Sequence, residues 1–310
     1  SLPQLSGIYI SAVCSGCQDS PKPLLEACQK HGFKAKVYND YIEMLEREQP
    51  RLVCVAGPFE RHAEMCMQAL KREVSVFCEK PVALKLDELE QIELTLKASK
   101  AKLASMMAMR YEPAFYSAYK LKQDGAIGKV KLIKAQKSYK LGKRPEYYKK
   151  RQAHGGLSPW VGSHAIDLIM FFAKRRFQSV WANHSSSDNR GHGELECAAQ
   201  CQFLLEDEIM ASASIDYLRP ETAATHGDDR IRVAGTQGII EVRDGKVLLD
   251  DCNGCREVPL QNPKRKIFAD FVMELRGDAH SLLEPGHSIA LARACLVARQ
   301  SADCGRLLHF

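Results

Sequence analysis

The chain has 310 residues, 45% of them hydrophobic and 26% charged, with a formal net charge of +6. This composition is typical of a globular protein with one large or two medium domains and an ample core. It excludes a membrane-spanning protein, because no apolar run approaches the ~18 residues that a span needs. Residues 1–7 lack the basic head and long apolar stretch of an export signal, so we expect a cytoplasmic protein.

The twelve cysteines are predicted to be free thiols rather than a disulfide framework. Several lie inside apolar runs, as small core residues of a reducing compartment do: Cys54, Cys66, Cys78 and Cys295. Two C-x-x-C pairs begin at Cys14 and Cys252, more than two hundred residues apart. We do not expect the two pairs to meet in a zinc site, and no metal is predicted.

Strand-like and helix-like segments alternate along the first 107 residues. The predicted strands are 7–14, 33–38, 51–56, 74–78 and 102–107. The predicted helices between them are 21–30, 40–48, 61–70 and 87–98. Regular alternation of this kind predicts a doubly wound parallel sheet, which we assign to a dinucleotide-binding domain over residues 1–108.

The strand at 74–78 ends at a charged pair followed by a proline. Pro81 cannot continue a strand and biases Lys80 towards an extended backbone, so Glu79 and Lys80 are predicted at the carboxyl end of the strand. In an open α/β sheet, ligands bind at that edge. The alternative is an ordinary exposed ion pair at a strand end.

Residues 109–310 show a different pattern, with a helix at 111–123 followed by many strands. The predicted strands are 129–139, 179–184, 197–205, 209–218, 230–234, 238–242 and 246–250, and the closing helices are 266–276 and 288–302. Because the later strands follow one another through short turns, we predict an α+β domain with a large, mostly antiparallel sheet.

A basic segment runs from residue 129 to residue 151, where ten Lys or Arg stand against Glu146 alone. A lysine-protected sheet edge, a patch that steers an anionic substrate and a nucleic-acid surface are the three possibilities. The chain shows no recognised nucleic-acid fold and few aromatic residues, so we predict no nucleic-acid partner.

Several short motifs follow one another in a fixed order. They are Gly57-Pro58, Arg61-His62, Glu79-Lys80-Pro81, Arg110-Tyr111-Glu112-Pro113 and Gly155-Gly156 before His164-Ala165-Ile166-Asp167. From about Val13 to the C-terminus the chain resembles the Gfo/Idh/MocA family of NAD(P)-dependent oxidoreductases. The resemblance implies a Rossmann-like domain followed by an α+β domain, NAD or NADP as cofactor, and a homo-oligomer formed through the C-terminal sheet.

The glycine fingerprint of a dinucleotide-binding fold is not found. The first strand and the G-x-G-x-x-G turn lie about 20 residues before the position that contacts the adenosine ribose. That position is predicted at Ser15, so the fingerprint would fall before residue 1, and Gly7 and Gly16 do not form it. We expect the chain to lack roughly two dozen residues of its native start; a relative that binds no cofactor is the alternative.

Hydride transfer at a carbinol carbon needs a group that takes or gives the hydroxyl proton. Lys80 is the first candidate, and the resemblance places Glu79 and Pro81 beside the nicotinamide. The resemblance also places a histidine in the cleft at the start of a helix, here His164, with a core or capping histidine as the alternative. We predict Lys80 and His164 as the catalytic pair.

Further residues are predicted around the cofactor. Gly57 and Pro58 follow a strand, and His62 starts the next helix on the nicotinamide side. Arg110 is predicted to contact the cofactor or the substrate, with an internal salt bridge as an equal alternative. Ser15 offers no carboxylate to repel a ribose phosphate, which slightly favours NADP, with Lys22 as the phosphate partner.

The substrate side is predicted from Trp160, Asp167 and Tyr139. Many dehydrogenases of the family carry an acidic or amide residue four positions before the histidine, where this chain has Trp160. An indole donates one hydrogen bond and cannot accept a proton. Lys80 and His164 then divide the proton transfer, or the substrate differs from the usual polyols, or catalysis is lost.

These observations predict an NAD(P)-dependent oxidoreductase that acts on a sugar, a polyol or a related carbonyl compound. Two alternatives remain open at this point. One is a non-catalytic ligand-binding or regulatory protein on the same fold. The other is a hydrolase that uses tightly held NAD in a redox-neutral cycle.

Overall fold

The computed structural model describes residues 5–15 and 20–310, which form two compact units. The first unit contains the described residues of Ser1–Ala83 with Asp87–Met106 and Lys266–Ser288. The second contains Leu84–Leu86, Met107–Arg265 and Ile289–Phe310. The predicted domains 1–108 and 109–310 differ from these units chiefly in residues 266–288, which the structure groups with the N-terminal elements.

The first unit is built from five short strands and five helices. Its strands are β1 Ala12–Cys14, β2 Lys36–Tyr38, β3 Leu52–Val55, β4 Ser75–Cys78 and β5 Leu103–Ser105. Its helices are α1 Lys22–Lys30, α2 Tyr41–Glu48, α3 His62–Leu70, α4 Leu86–Lys97 and, after the second unit has been traversed, α8 Ile267–Arg276. The predicted alternation of strands and helices is therefore confirmed, with shorter strands than expected at 7–14 and 33–38.

Helix α8 belongs to the first unit because its aromatic residues pack on strand β4. The ring of Phe77 lies 5.3 Å from that of Phe268 and 5.7 Å from that of Phe271. All four residues of β4 are buried. A strand covered in this way needs apolar residues throughout, which explains its run of valine, phenylalanine and cysteine.

The parallel strands of the first unit form two separate sheets, β1-β2 and β3-β4-β5. A cavity of about 1260 Å³ is lined by residues of both β1 and β3. In a dinucleotide-binding sheet of order 3-2-1-4-5-6, the first strand lies at the corresponding central position. No described residue occupies that position here.

The second unit contains nine strands and most of the remaining helices. Its strands are β6 Val130–Lys140, β7 Phe177–Ser185, β8 Ala198–Leu205, β9 Met210–Arg219, β10 Gly227–Gly235, β11 Gly238–Arg243, β12 Lys246–Asp251, β13 Gly254–Val258 and β14 Leu308–His309. Its helices are α5 Pro113–Gln123, α6 Arg151–His154, α7 Ser163–Ala173 and most of α9 His287–Cys304. The sequence did not predict β13 or β14.

All nine strands join one sheet, in the order β13-β12-β11-β10-β6-β9-β8-β7-β14. Every neighbouring pair is antiparallel except β6 and β9, which run parallel. The prediction of a large, mostly antiparallel sheet is confirmed. Helix α7 covers the sheet, and its apolar residues Ile166, Ile169 and Phe172 are fully buried.

Three structural observations bear on the remaining predictions from composition. Within residues 5–15 and 20–310, no helix is long and apolar enough to cross a membrane. The same residues contain no cluster of three or more metal-ligating side chains arranged around a common point. The register pairs Cys255 with Asp250 in the hairpin that joins β12 and β13.

Candidate active site

The segment that follows strand β4 is held in place by a buried histidine. One ring nitrogen of His62 lies 2.8 Å from the carbonyl oxygen of Pro81, and the other lies 2.9 Å from that of Gly57. His62 thereby links the chain segments that follow β3 and β4. Since His62 is fully buried with a backbone carbonyl beside each ring nitrogen, the structure gives it a positioning role, and its contact with the cofactor stays a prediction.

Lys80 lies at the carboxyl end of β4, as predicted, and is 6% exposed. The backbone N–H of Lys80 donates to the Glu79 carboxylate at 2.6 Å, and the peptide bond from Lys80 to Pro81 is cis. Long cationic side chains are rarely this buried unless they are paired or functional. The ligand-binding edge of the parallel sheet therefore presents a lysine of restricted access.

Ser15 and Gly57 both line the cavity between β1 and β3, whereas Pro58, Glu79 and Lys80 are not part of its lining. The Ser15 hydroxyl donates to the side chain of Asn39 at 3.0 Å. Because Ser15 follows β1 directly, it occupies the strand end predicted for the adenosine ribose. Gly57 lies at the end of the neighbouring strand across the cavity.

The described residues fit part of a dinucleotide. Ser15, Gly57 and Glu79 each follow a parallel strand and stay the predicted contacts for its two ends. A pyrophosphate, however, binds a glycine-rich turn at a helix N-terminus. In residues 5–15 and 20–310, no helix of the first unit follows such a turn.

Arg110 and Asp167 form a buried ion pair in the second unit. Arg110 is 1% exposed and Asp167 is fully buried, and Nη2 of the arginine lies 2.8 Å from Oδ1 of the aspartate. The arginine Nε also lies 2.9 Å from Oδ2, which makes the contact bidentate. The internal salt bridge, given as the alternative for Arg110, is therefore present, and this pair orients both side chains. Contact of Arg110 with the cofactor and of Asp167 with the substrate stays a prediction.

Gly155 and Gly156 adopt left-handed backbone conformations, with φ of +82° and +95°. A Cβ atom on Gly155 would lie 2.6 Å from the side chain of Leu84. The glycines are therefore explained by the backbone turn and by packing, rather than by the approach of a ligand. The N–H of Gly156 donates to Nδ1 of His154 at 3.0 Å, which places the proton of the neutral imidazole on Nε2.

Trp160 and His164 lie on consecutive helical turns and are both half-buried. Trp160 belongs to a π-helical turn, Ser158–Gly162, and His164 to the first turn of α7. The indole of Trp160 lies 6.3 Å from the ring of Tyr148. The two residues stay together as candidates for the substrate side, with Trp160 supplying a ring face.

Tyr139, also predicted for the substrate side, is half-buried among charged and aromatic groups. Its ring stacks on His226 at 4.7 Å, and the ammonium of Lys137 lies 4.7 Å from the ring centre. Lys137 is buried and pairs with Asp229 at 2.6 Å. The segment around His226 therefore reaches this cluster.

Three further residues extend the cluster from Tyr139 to Trp160. Arg144 lies between the rings of Tyr148 and Tyr217, and Tyr217 lies 6.5 Å from Tyr139. Burial raises the pKa of Tyr217 to about 12. Arg144 and Tyr148 stand in the basic segment of the sequence, but spacing alone does not separate pocket lining from surface.

Comparison with protein families gives two matches that together span most of the chain. The model for an oxidoreductase family with an NAD-binding Rossmann fold, Gfo/Idh/MocA, matches residues 12–106. The model for the Gfo/Idh/MocA C-terminal domain matches residues 115–241. The order of the two matches agrees with the order of the parallel and antiparallel sheets.

Individual relatives agree with the family matches. A Thermotoga maritima structure, provisionally described as an oxidoreductase, is 42% identical with a TM-score of 0.94, and the match covers 100% of this chain and 95% of that one. The uncharacterized oxidoreductase YrbE of Bacillus subtilis is 26% identical over 65% of this chain and 58% of its own length. Inositol 2-dehydrogenase of Salmonella typhimurium is 25% identical over 57% of this chain and 50% of its own length.

The alignments thus span only about half the length of these curated relatives, whereas the Thermotoga maritima structure matches along the whole chain. The two domain matches, the parallel strand followed by Glu79-Lys80-Pro81 and the large, mostly antiparallel sheet lead to one assignment. The chain belongs to the Gfo/Idh/MocA family of oxidoreductases.

Proposed function

We propose that the protein is an NAD(P)-dependent oxidoreductase that transfers hydride to or from a sugar, a polyol or a related carbonyl compound. The observation that carries this proposal is Lys80, which is 6% exposed at the carboxyl end of the buried strand β4. This edge is the ligand-binding edge of a parallel sheet. The likeness to an inositol dehydrogenase supports the class of substrate.

Lys80 is proposed to hold the substrate hydroxyl and to exchange its proton during oxidation and reduction. An amine used in this way needs an environment that adjusts its protonation, and burial is one such influence. Glu79 engages the backbone N–H of Lys80, and His62 holds the carbonyl of Pro81, so both neighbours orient the lysine segment. When bound, the nicotinamide ring supplies or accepts the hydride.

His164 is proposed as the second proton-transfer residue. It lies on the first turn of α7, one helical turn after Trp160, and is half-buried. Because an indole cannot accept a proton, we assign proton transfer to His164 and Lys80 rather than to Trp160. The buried Asp167 anchors the same helix through Arg110, so we assign Asp167 a positioning role.

The cavity between β1 and β3 is proposed to hold one further parallel strand when the cofactor site is complete. Its edges come from parallel sheets on both sides, and Ser15 and Gly57 lie on its lining. The turn after such a strand would supply the backbone N–H groups that bind the pyrophosphate. We propose NAD or NADP as the cofactor, since Ser15 carries no charge that selects between them.

The test is a comparison of three proteins in cofactor binding and turnover. NADH and NADPH binding is measured from nicotinamide fluorescence, and a panel of inositols and aldoses is then screened for turnover. Lys80→Met is expected to lower kcat by about 10²- to 10⁴-fold, the usual contribution of acid–base catalysis. The exposed Lys71→Met serves as the matched control and is expected to leave kcat unchanged.

A protein that binds neither cofactor would contradict the proposal and favour a non-catalytic binding protein. A Lys80→Met variant with the kcat of the parent would remove the proposed role of the lysine. A cofactor that stays bound throughout turnover, without net oxidation or reduction, would instead favour the redox-neutral hydrolase.

We also propose that two copies associate through the exposed face of the nine-stranded sheet. The pairing register places four exposed apolar side chains on one face of β7, β8 and β9: Trp181, Leu204, Met210 and Leu218. Exposed apolar patches of this kind are typical of interfaces. Sedimentation velocity should give an oligomer, and Met210→Lys with Leu218→Lys should shift it to the monomer.

A further inference from the structure

Arg144 is the starting point, because its environment differs from that of the other basic residues near it. Its guanidinium carbon lies 4.7 Å from the ring centre of Tyr217 and 5.7 Å from that of Tyr148. Its Nη2 donates to the backbone oxygen of Lys140 at 3.1 Å. Among residues 5–15 and 20–310, no carboxylate pairs with this arginine.

Two other cations of the segment, in contrast, have acidic partners. Lys137 pairs with Asp229 at 2.6 Å, and Arg151 pairs with Asp303 at 2.7 Å. The carboxylates of Asp229 and Asp303 are therefore already paired with other cations. The charge of Arg144 is therefore available to an anionic ligand. Arg144 lies in a segment, residues 137–151, with seven basic residues and one acidic residue.

Buried polar atoms with unused hydrogen-bonding capacity lie around Tyr148 and Tyr217. Nε of Arg144 and Nε2 of His154 are both buried and make no hydrogen bond. The hydroxyl of Tyr217 is also buried, and the indole of Trp160, which can only donate, is its one neighbour for a hydrogen bond among the described residues. The ring of His154 lies 5.9 Å from the ring of Tyr148, which connects it to the clamp around Arg144. Buried polar atoms are normally paired, so a group of unpaired ones indicates a site for a polar ligand.

Each of these three groups carries a hydrogen that it can donate. The guanidinium Nε carries a hydrogen, and Nε2 of His154 carries the proton because Nδ1 accepts from Gly156. The raised pKa of Tyr217 keeps its hydroxyl protonated at neutral pH. A ligand that satisfies them must supply acceptor oxygens, and the charge of Arg144 favours an anionic group.

We propose that Arg144, clamped between Tyr148 and Tyr217, binds a carboxylate of the substrate, so that the substrate is a polyhydroxy acid rather than a neutral polyol. This inference rests on the proposed function, because it names the substrate class of that site. Arg144 is half-buried beside the 45% exposed Tyr147, so the clamp lies at the surface of its unit. Tyr148 connects it to Trp160, whose ring face packs against the carbon chain of the substrate.

The chain offers a spectroscopic probe for this site. It contains two tryptophans, Trp160 and Trp181, and Trp181 lies on the exposed sheet face. A Trp181→Phe protein therefore reports ligand binding through Trp160 fluorescence alone. Three ligands are titrated, each with and without NADH: D-gluconate, sorbitol and sorbitol 6-phosphate. Sorbitol carries a hydroxymethyl group in place of the carboxylate of D-gluconate.

D-gluconate is expected to bind at least about tenfold more tightly than sorbitol or sorbitol 6-phosphate, as a charged hydrogen-bonded contact provides. Arg144→Gln should remove this preference without changing the Kd for sorbitol. The adjacent exposed Lys143→Gln makes the same change of charge and should keep the preference. Arg144→Lys, which keeps the charge without the planar fork, should retain only part of it.

Three results would overturn the proposal: equal Kd values for gluconate and sorbitol, tighter binding of the phosphate, or an Arg144→Gln protein that still prefers gluconate. Thermal unfolding checks that each variant is folded, and the folded Arg144→Lys protein keeps the test decisive if Arg144→Gln unfolds. Binding that depends on Arg144 without any turnover would refute the oxidoreductase and leave the carboxylate site standing. Turnover of neutral polyols only would refute the carboxylate site and leave the oxidoreductase standing.

Discussion

The parallel sheets of the first unit and the large sheet of the second differ in how their strands are completed. In the second unit, nine strands pair without interruption, and β8 has partners on both sides. In the first unit, β1 and β3 face a cavity of about 1260 Å³ across which no strand of the described residues pairs. The strands of the second unit pair with one another within the described residues. In the first unit, the edges of β1 and β3 that face the cavity have no paired strand among the described residues, so their backbone groups lack ladder hydrogen bonds there.

The difference follows from topology. Strands β10 to β13 are joined by short connections, so each strand brings its neighbour with it. Parallel strands need long crossovers, and the order of a doubly wound sheet puts the first strand in the centre. A parallel sheet of this type therefore depends on a single segment in a way that an antiparallel meander does not.

The largest expected effect comes from the second unit, in the buried ion pair. Asp167→Ala leaves the charge of Arg110 buried without its carboxylate, which should lower the free energy of unfolding by about 3–5 kcal/mol. Urea unfolding gives this value. Asp124→Ala, which removes the exposed partner of Lys120, should cost less than about 1 kcal/mol. Equal losses in both variants would show that the pair at Asp167 is not the buried anchor described.

Amide hydrogen exchange tests the open edge of β3 directly. The N–H groups of Ser75 and Glu79 donate to the carbonyls of Arg51 and Val55, so alternate residues of β3 bond to β4. The amides of Leu52 and Cys54 then face the cavity. They should exchange at least about a hundredfold faster than those of Val53 and Val55 in the same strand. Equal protection along β3 would mean that its second edge is covered.

A smaller effect is expected at helix α2, beside the cavity. The carboxylate of Asp40 caps this helix by accepting from the N–H of Glu43 at 2.7 Å. Asp40→Ala should lower the free energy of unfolding by about 1 kcal/mol, and Asp40→Asn, which keeps the acceptor oxygen, should lose little. Denaturant unfolding measures both. If the two variants lose equal stability, the cap contributes nothing to the first unit.

The smallest effect is a pH dependence in the second unit. Burial lowers the pKa of His154, so below its ordinary value near 6.5 the unfolded chain binds a proton that the folded chain does not. Stability should therefore fall as the pH drops below about 6.5, by at most about 1.4 kcal/mol per pH unit. His154→Asn should flatten this decrease between pH 7.5 and pH 5.5, while the exposed His31→Asn should not. A decrease of the same size in all three proteins would exclude His154 as its source.

Much of the architecture could be predicted because its signals are local. Strand β4 was expected from its β-branched run, and Lys80 was expected after it because a proline ends the strand. The nine-stranded sheet followed from consecutive strands and turns. In contrast, β13 is almost entirely exposed, so it lacks the alternation of buried residues that identifies a strand.

The site was less predictable because it depends on partners that are distant in the chain. Arg110 and Asp167 are separated by 57 positions, and nothing in the sequence distinguishes their pair from two ligand-binding groups. His62 was likewise predicted as a cofactor contact, and its sequence position does not reveal that its ring lies between two backbone carbonyls. Which polar groups are consumed inside the fold is decided only by packing.

The sequence by itself determined the alternation of strands and helices, the strand that ends at Glu79 and Lys80, and the change to a largely antiparallel sheet, because periodicity and turn residues act over a few neighbours. The tertiary structure decided that Asp167 anchors a helix and that Arg144 is clamped between two tyrosine rings. It also decided that β1 and β3 border one cavity. These features depend on contacts between residues far apart in the chain, which local patterns do not encode.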